Sequence, residues 1–222
     1  MNKDLWKKIG AAVGVVLFFL GISYGFVPQV LEGKIVNQSD ISGYMGMSRE
    51  MSQWNQAHPD DPTYWTDSMF GGMPTTAIST LNGGDYTEGL YKLLMLGKRP
   101  ATYLFVCLLG AFLLFWAMGV HWLLAVAGAV AVAFCSYNFQ IIQVGHNTKM
   151  QAIAFMPWVL AALVYTYRSA KDGRSQPAMT GNAVGSGRAQ AVIPGLTGNL
   201  WRMLLGAVLF GLALSLQIKA NH

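Results

Sequence analysis

The chain has 222 residues, of which 53% are hydrophobic and only 11% charged, and its formal net charge is +5. Soluble domains run at about 45–50% apolar and about 25% charged, and here the apolar residues are gathered into long uncharged blocks. That pattern excludes a soluble helical core, whose helices would need polar faces. It also excludes a nucleic-acid reading of the positive charge, because the basic residues cluster beside the apolar blocks, where membrane orientation explains them.

A hydrocarbon core about 30 Å thick takes about 20 helical residues, and five blocks approach that length: 9–27, 101–120, 123–139, 152–167 and 203–218. The first follows Lys3, Lys7 and Lys8, as a secretory leader would. However, Tyr24, Phe26 and Pro28 stand where a small-residue cleavage site belongs, so it reads as an uncleaved anchor. By the positive-inside rule those lysines put the amino terminus in the cytoplasm. The segment 28–100 is then an enlarged extracytoplasmic loop, net acidic, with a helix expected to start at Ser39 or Asp40 and to run through Ser42 to Gln53. His121 and Trp122 make a tight cytoplasmic turn between the second and third spans, and Gln140 to Gln151 form a short external loop. The loop 169–200 and its borders carry Arg168, Lys171, Arg174, Arg188 and Arg202 against the single acid Asp172, an independent vote for the same orientation. Its Gly, Ser, Asn and Pro content predicts a flexible cytoplasmic segment. The chain stops directly after the fifth span, which reads as a piece of a longer multi-spanning protein.

This topology brings three polar clusters to the outer face: the loop around Asp40 and Asp67, the turn His146–Asn147–Thr148–Lys149, and the terminal Asn221–His222. Asp40 is the candidate general base, since a partly buried carboxylate near the membrane surface can take a proton from a hydroxyl; capping a helix is its structural alternative. Asp67 is a candidate substrate-binding group, and Asp40 with Asp67 is a candidate site for a divalent cation. His146, Asn147 and Lys149 suit a phosphate or pyrophosphate, and Asn221 and His222 complete the substrate-binding set. Gly71, Gly72 and Pro74 predict a turn with close backbone approach to a ligand or a neighbouring helix, with Trp65 and Phe70 either stacking on a sugar or anchoring at the headgroups. His58, Asp60 and Asp61, between Pro59 and Pro62, read as a solvated turn. No zinc-like Cys/His spacing is present. Cys107 and Cys135 lie within apolar blocks and carry no disulfide signal.

Gln38–Ser39–Asp40, the run from Tyr64 to Pro74 ending in Phe-Gly-Gly-Met-Pro, Gly145 to Lys149, Ala152 to Trp158, and the terminal Gln217 to His222 together resemble the amino-terminal part of the YfhO family, in the form found in the Bacteroides group. These are bacterial multi-pass membrane proteins, and the resemblance covers nearly all the chain except the 169–200 insert. It implies an all-α integral membrane bundle of GT-C glycosyltransferase type in the bacterial cytoplasmic (inner) membrane. It also implies a polyprenyl-phosphate sugar as donor and a hydroxyl of a cell-envelope glycan or lipid-linked polymer as acceptor. Asp40 matches the position of that fold's catalytic base, Lys149 would stabilise the departing lipid phosphate, and Asp67 would bind a metal or orient the acceptor. Family members are longer, with more spans, so part of the donor groove lies beyond this chain. Two other readings remain at this stage, a non-enzymatic transporter or assembly subunit and an inactive truncated product.

Overall fold

The computed structural model describes residues 3–34, 36–75, 78, 88–95, 97–174 and 194–219. Among the described residues the regular elements are helices and one short ribbon: α1 (Lys3–Phe26), a single 3-10 turn (Pro28–Val30), α2 (Ser39–Met47), α3 (Arg49–Ala57), β1 (Trp65–Thr66), β2 (Met73–Pro74), α4 (Glu88–Leu94), α5 (Ala101–Ala117), α6 (Trp122–Ala133), α7 (Ser136–Val144), α8 (Asn147–Arg174) and α9 (Pro194–Lys219). Three stretches are long and apolar enough to cross a membrane: Lys3–Phe26, Trp122–Val144 and Asn147–Ala170. The apolar parts of the other two, Ala101–Ala117 and Trp201–Gln217, are shorter. This is a helical membrane protein, and its large exposed apolar residues on α1, α6 and α9 are the lipid-facing side that such a bundle requires.

α5 is the central helix. Tyr103, Leu104, Val106, Cys107, Leu108 and Ala111 are all buried in the core together with Phe19 of α1 and Met150, Ala154 and Phe155 of α8. Lipid offers apolar side chains no reason to leave it, so close backbone approach through small residues holds such helices together. Ala125, Ala129 and Ala133 make a fully buried stripe on α6. Gly128 lies under the Phe115 ring, and Gly110 leaves room for Trp158, whose Nε1 donates to the Val106 carbonyl at 3.0 Å. Gly206 of α9 sits against Thr166 of α8 in the same way.

The contact pairs fix the relative directions. Gln151 meets Tyr103 and Arg168 meets Ala117, so α5 and α8 run parallel. Tyr24, near the end of α1, meets Lys98 just before α5, so α1 runs antiparallel to both. The bundle therefore has one end built from the close of α1 and the starts of α5 and α8. The opposite end is built from the start of α1 and the close of α5 and α8. At that opposite end the Arg168 guanidinium donates to the Ala117 carbonyl at 2.7 Å, a cation against a helix carboxyl terminus.

Four expectations change. The helix expected from Ser39 through Gln53 is two helices divided at Ser48, and neither Ser39 nor Asp40 caps it; Gln38 occupies the cap position without a side-chain bond. The third span does not end at Phe139 but continues as α7 to Val144, after a break at Phe134–Cys135. Buried Asn138 is the physical reason the break is tolerated: its Nδ2 donates to the carbonyls of Val132 and Ala133, both at 3.0 Å, which the interrupted helix would leave open. The external loop expected over Gln140–Gln151 shrinks accordingly to Gly145–His146, since α8 already starts at Asn147. The loop expected over 169–200 is helical at both ends, to Arg174 and from Pro194, and its 175–193 portion lies outside the described residues.

Candidate functional site

Gly145 is the pivot of the site. It closes α7 in the left-handed conformation, at φ +111, its amide donating to the Ile141 carbonyl. A glycine serves here for two reasons. A side chain is strained at that φ, and a Cβ would stand 3.1 Å from Cβ of Gln38 and 3.2 Å from Cβ of Asp40. The start of α2 is thus pressed directly onto the turn between α7 and α8, about a hundred residues away in sequence.

Polar bonds complete the junction. Gln38 and Asn147 exchange reciprocal amide bonds at 3.0 and 3.1 Å, and Gln38 Nε2 also donates to the Ile142 carbonyl at 2.5 Å. Ser39 Oγ donates to the Val144 carbonyl at 3.4 Å. These bonds deliver the Asp40 carboxylate to His146, with Oδ2 3.1 Å from the imidazole Nδ1. The two side chains are 43% and 51% exposed, so the pair is open to a ligand while its backbone is clamped. His146 immediately precedes α8, whose amino-terminal dipole favours the negative charge of Asp40.

Beside the pair, Lys149 lies over the Tyr137 ring, 5.2 Å from its centroid. Further down α8, buried Gln151 donates to the Tyr103 hydroxyl at 3.1 Å and accepts from the Tyr91 hydroxyl of α4. Burial, with Tyr103 adding to it, pushes the Tyr91 phenol up to about 12, so it stays a neutral donor at any ordinary pH.

The expected meeting of the Asp40 and His146–Lys149 clusters is therefore present, with Asn147 acting as a clamp. Asp67 has a different setting. It sits on the β1–β2 hairpin, whose register pairs Trp65 with Pro74 and Thr66 with Met73, and its Oδ1 accepts from Trp65 Nε1 at 2.9 Å. The turn expected at Gly71–Gly72 is formed, with φ values of +74 and +114. A Cβ on Gly72 would meet the Trp65 ring at 2.9 Å, so the close approach expected toward a ligand or a neighbouring helix is made instead to the hairpin's own tryptophan. Trp65 is thus committed to its own hairpin, and Phe70, also at positive φ, stands 90% exposed at the tip.

Asp40 and Asp67 answer to different partners, and among the described residues no three His, Cys, Asp or Glu side chains come together as a metal site. Asn221 and His222 lie outside the described residues. The His58 turn is solvent-facing as expected, its imidazole stacked on Trp54 at 4.1 Å.

Sequence reasoning passed over Glu50. Its carboxylate accepts from the Thr66 hydroxyl and from the amides of Asp67 and Ser68 at 3.2 and 3.0 Å, fastening the hairpin loop to α3. These bonds, that of Thr66 first, hold its carboxyl below the ordinary value of 4.5. Gln38 was part of the motif but carried no assigned role; a Gln beside Asp40 gives no hint that its partner is an Asn far along the chain.

No family model matches the chain, and no curated protein or solved structure is recognisably similar to it.

Proposed function

We propose that this protein acts as a GT-C-like membrane glycosyltransferase. It would move a sugar from a polyprenyl-phosphate donor to a hydroxyl of an extracytoplasmic glycan or lipid-linked polymer. The observation that carries the reading is the Asp40–His146 pair, a half-exposed carboxylate and imidazole clamped at one end of a membrane bundle. The basic residues Lys3, Lys7, Lys8 and Arg168 belong to the opposite end. By the positive-inside rule that opposite end faces the cytoplasm of a bacterial inner membrane, and the pair faces outward. The resemblance to the YfhO family supports the same reading through Asp40 and the Phe-Gly-Gly-Met-Pro run.

The chemistry this end can perform is proton removal from an acceptor hydroxyl as its oxygen bonds to the anomeric carbon. The bond from that carbon to phosphate breaks, and the electron pair leaves on the lipid phosphate, whose charge a nearby cation such as Lys149 stabilises.

The break between α6 and α7 favours the competing reading of a transporter, since interrupted helices form such binding sites near the bilayer midplane. Against it stands the distribution of charge: the apolar blocks 9–27, 101–120, 123–139, 152–167 and 203–218 carry no acid or base, and the polar residues of the site gather at one end of the bundle.

The test is Asp40→Asn in bacterial membranes, read by mass spectrometry of the envelope glycans. Loss of one sugar modification by about a hundredfold or more, at equal protein level, is expected. Unchanged glycosylation by a well-accumulated variant would remove the catalytic assignment.

A further inference from the structure

The contact between Asp40 and His146 is made through Nδ1 of the ring. A neutral imidazole carries one N–H, and a carboxylate only accepts. With Asp40 ionised, the geometry therefore requires the proton on Nδ1 and leaves the lone pair on Nε2. Among the described residues the ring's polar contact is the one from Nδ1 to Asp40, and the ring is half exposed. Asp40 is held opposite Nδ1 by the Gln38–Asn147 clamp at the start of α2.

We propose that the proton-accepting atom of the site is Nε2 of His146, and that Asp40 is the positioning residue that fixes the ring as its Nδ1–H tautomer. This rests on the sugar-transfer reading for its substrate and reverses the roles expected from the sequence, where Asp40 itself was the base. The acceptor hydroxyl gives its proton to Nε2, its oxygen bonds to the anomeric carbon, and the lipid phosphate leaves with the electron pair. The ring is then an imidazolium whose charge Asp40 balances at contact distance. Lys149, in the first turn of α8, is turned onto the Tyr137 ring. The Asn147 side chain is committed to Gln38.

Two readouts on the intact protein in lipid nanodiscs test this. The first is nitrogen NMR of isotope-labelled histidine, with the His146 signals identified by their loss in His146→Gln. The neutral ring is expected as Nδ1–H in the wild type, reverting toward the common Nε2–H form in Asp40→Ala. An Nε2–H ring in the wild type, or a tautomer indifferent to Asp40→Ala, overturns the proposal.

The second readout is transfer from undecaprenyl-phosphate-linked radiolabelled hexose to envelope glycan. His146→Gln is expected to lower kcat by about 10²–10⁴-fold with KM little changed, and His146→Gln with Asp40→Asn to lose no more than His146→Gln alone. Transfer that survives in His146→Gln and fails in Asp40→Asn overturns this proposal and keeps the sugar-transfer reading. An Nδ1–H ring that depends on Asp40, in a wild-type protein that transfers no hexose, overturns the sugar-transfer reading and upholds the dyad as a base for another hydroxyl.

Discussion

At the scale of single residues, the junction between α2 and the α7–α8 turn depends on one missing side chain. Gly145→Ala puts a Cβ into the left-handed region and within 3.2 Å of Asp40. A loss of about 1–2 kcal/mol is expected from the backbone conformation alone, read as a lowered midpoint in thermal unfolding of the detergent-solubilised protein. Gln38 and Asn147 lose their reciprocal bonds if the two segments part, so hydrogen exchange at the start of α2 should rise in the same variant. Glu50 gives a pH dependence of definite sign. Its carboxyl is held below its ordinary value in the folded hairpin, so its contribution is complete above the ordinary value of 4.5 and is lost as pH falls through the lower folded one. The loop from Thr66 to Ser68 should keep its protection from hydrogen exchange through neutral and mildly acidic pH and release it only in stronger acid. Glu50→Gln should show weaker protection than wild type through neutral and mildly acidic pH, and no acid transition.

At the scale of elements, the span from Trp122 to Val144 is two helices made to work as one. Asn138→Ala leaves the carbonyls of Val132 and Ala133 without their donor. A cost of about 1–3 kcal/mol follows from unsatisfied buried acceptors, with faster exchange confined to residues around the break. The same element shows what a sequence conceals. The apolar run announces a span, but nothing in Phe134–Cys135–Ser136 is a strong helix breaker, and the interruption exists only because a polar side chain two residues later can close the open carbonyls. The turn at Gly145 was easier to place near the right position than to size. Its αL glycine ends α7 so sharply that a loop of a dozen residues by composition becomes two residues in the fold.

At the scale of the molecule, the uncharged blocks and the flanking lysines and arginines were enough to set the number of apolar segments and their alternation. They were also enough to bring Asp40 and His146 to one end. They could not separate Asp67 from that pair, because Asp67 and Asp40 look alike in an acidic loop. Only the hairpin register, with Trp65 over Gly72 and Glu50 behind Thr66, shows that Asp67 belongs to its own unit. The parallel packing of α5 and α8 follows from the alternation but rests physically on Gly110, which accommodates the Trp158 ring. Gly110→Leu should separate the two helices and abolish accumulation of folded protein, read by size-exclusion profile in detergent.

Everything proposed for the site requires that the α2 end of the bundle face outward and the Arg168 end face the cytoplasm. Single cysteines at Asn37 and Met118, with Cys107 and Cys135 replaced by Ala, place one thiol at each end. In intact cells a membrane-impermeant maleimide is expected to label Asn37→Cys, and to reach Met118→Cys only after permeabilisation. Labelling of Met118→Cys alone in intact cells, or of both, would contradict an extracytoplasmic Asp40–His146 site.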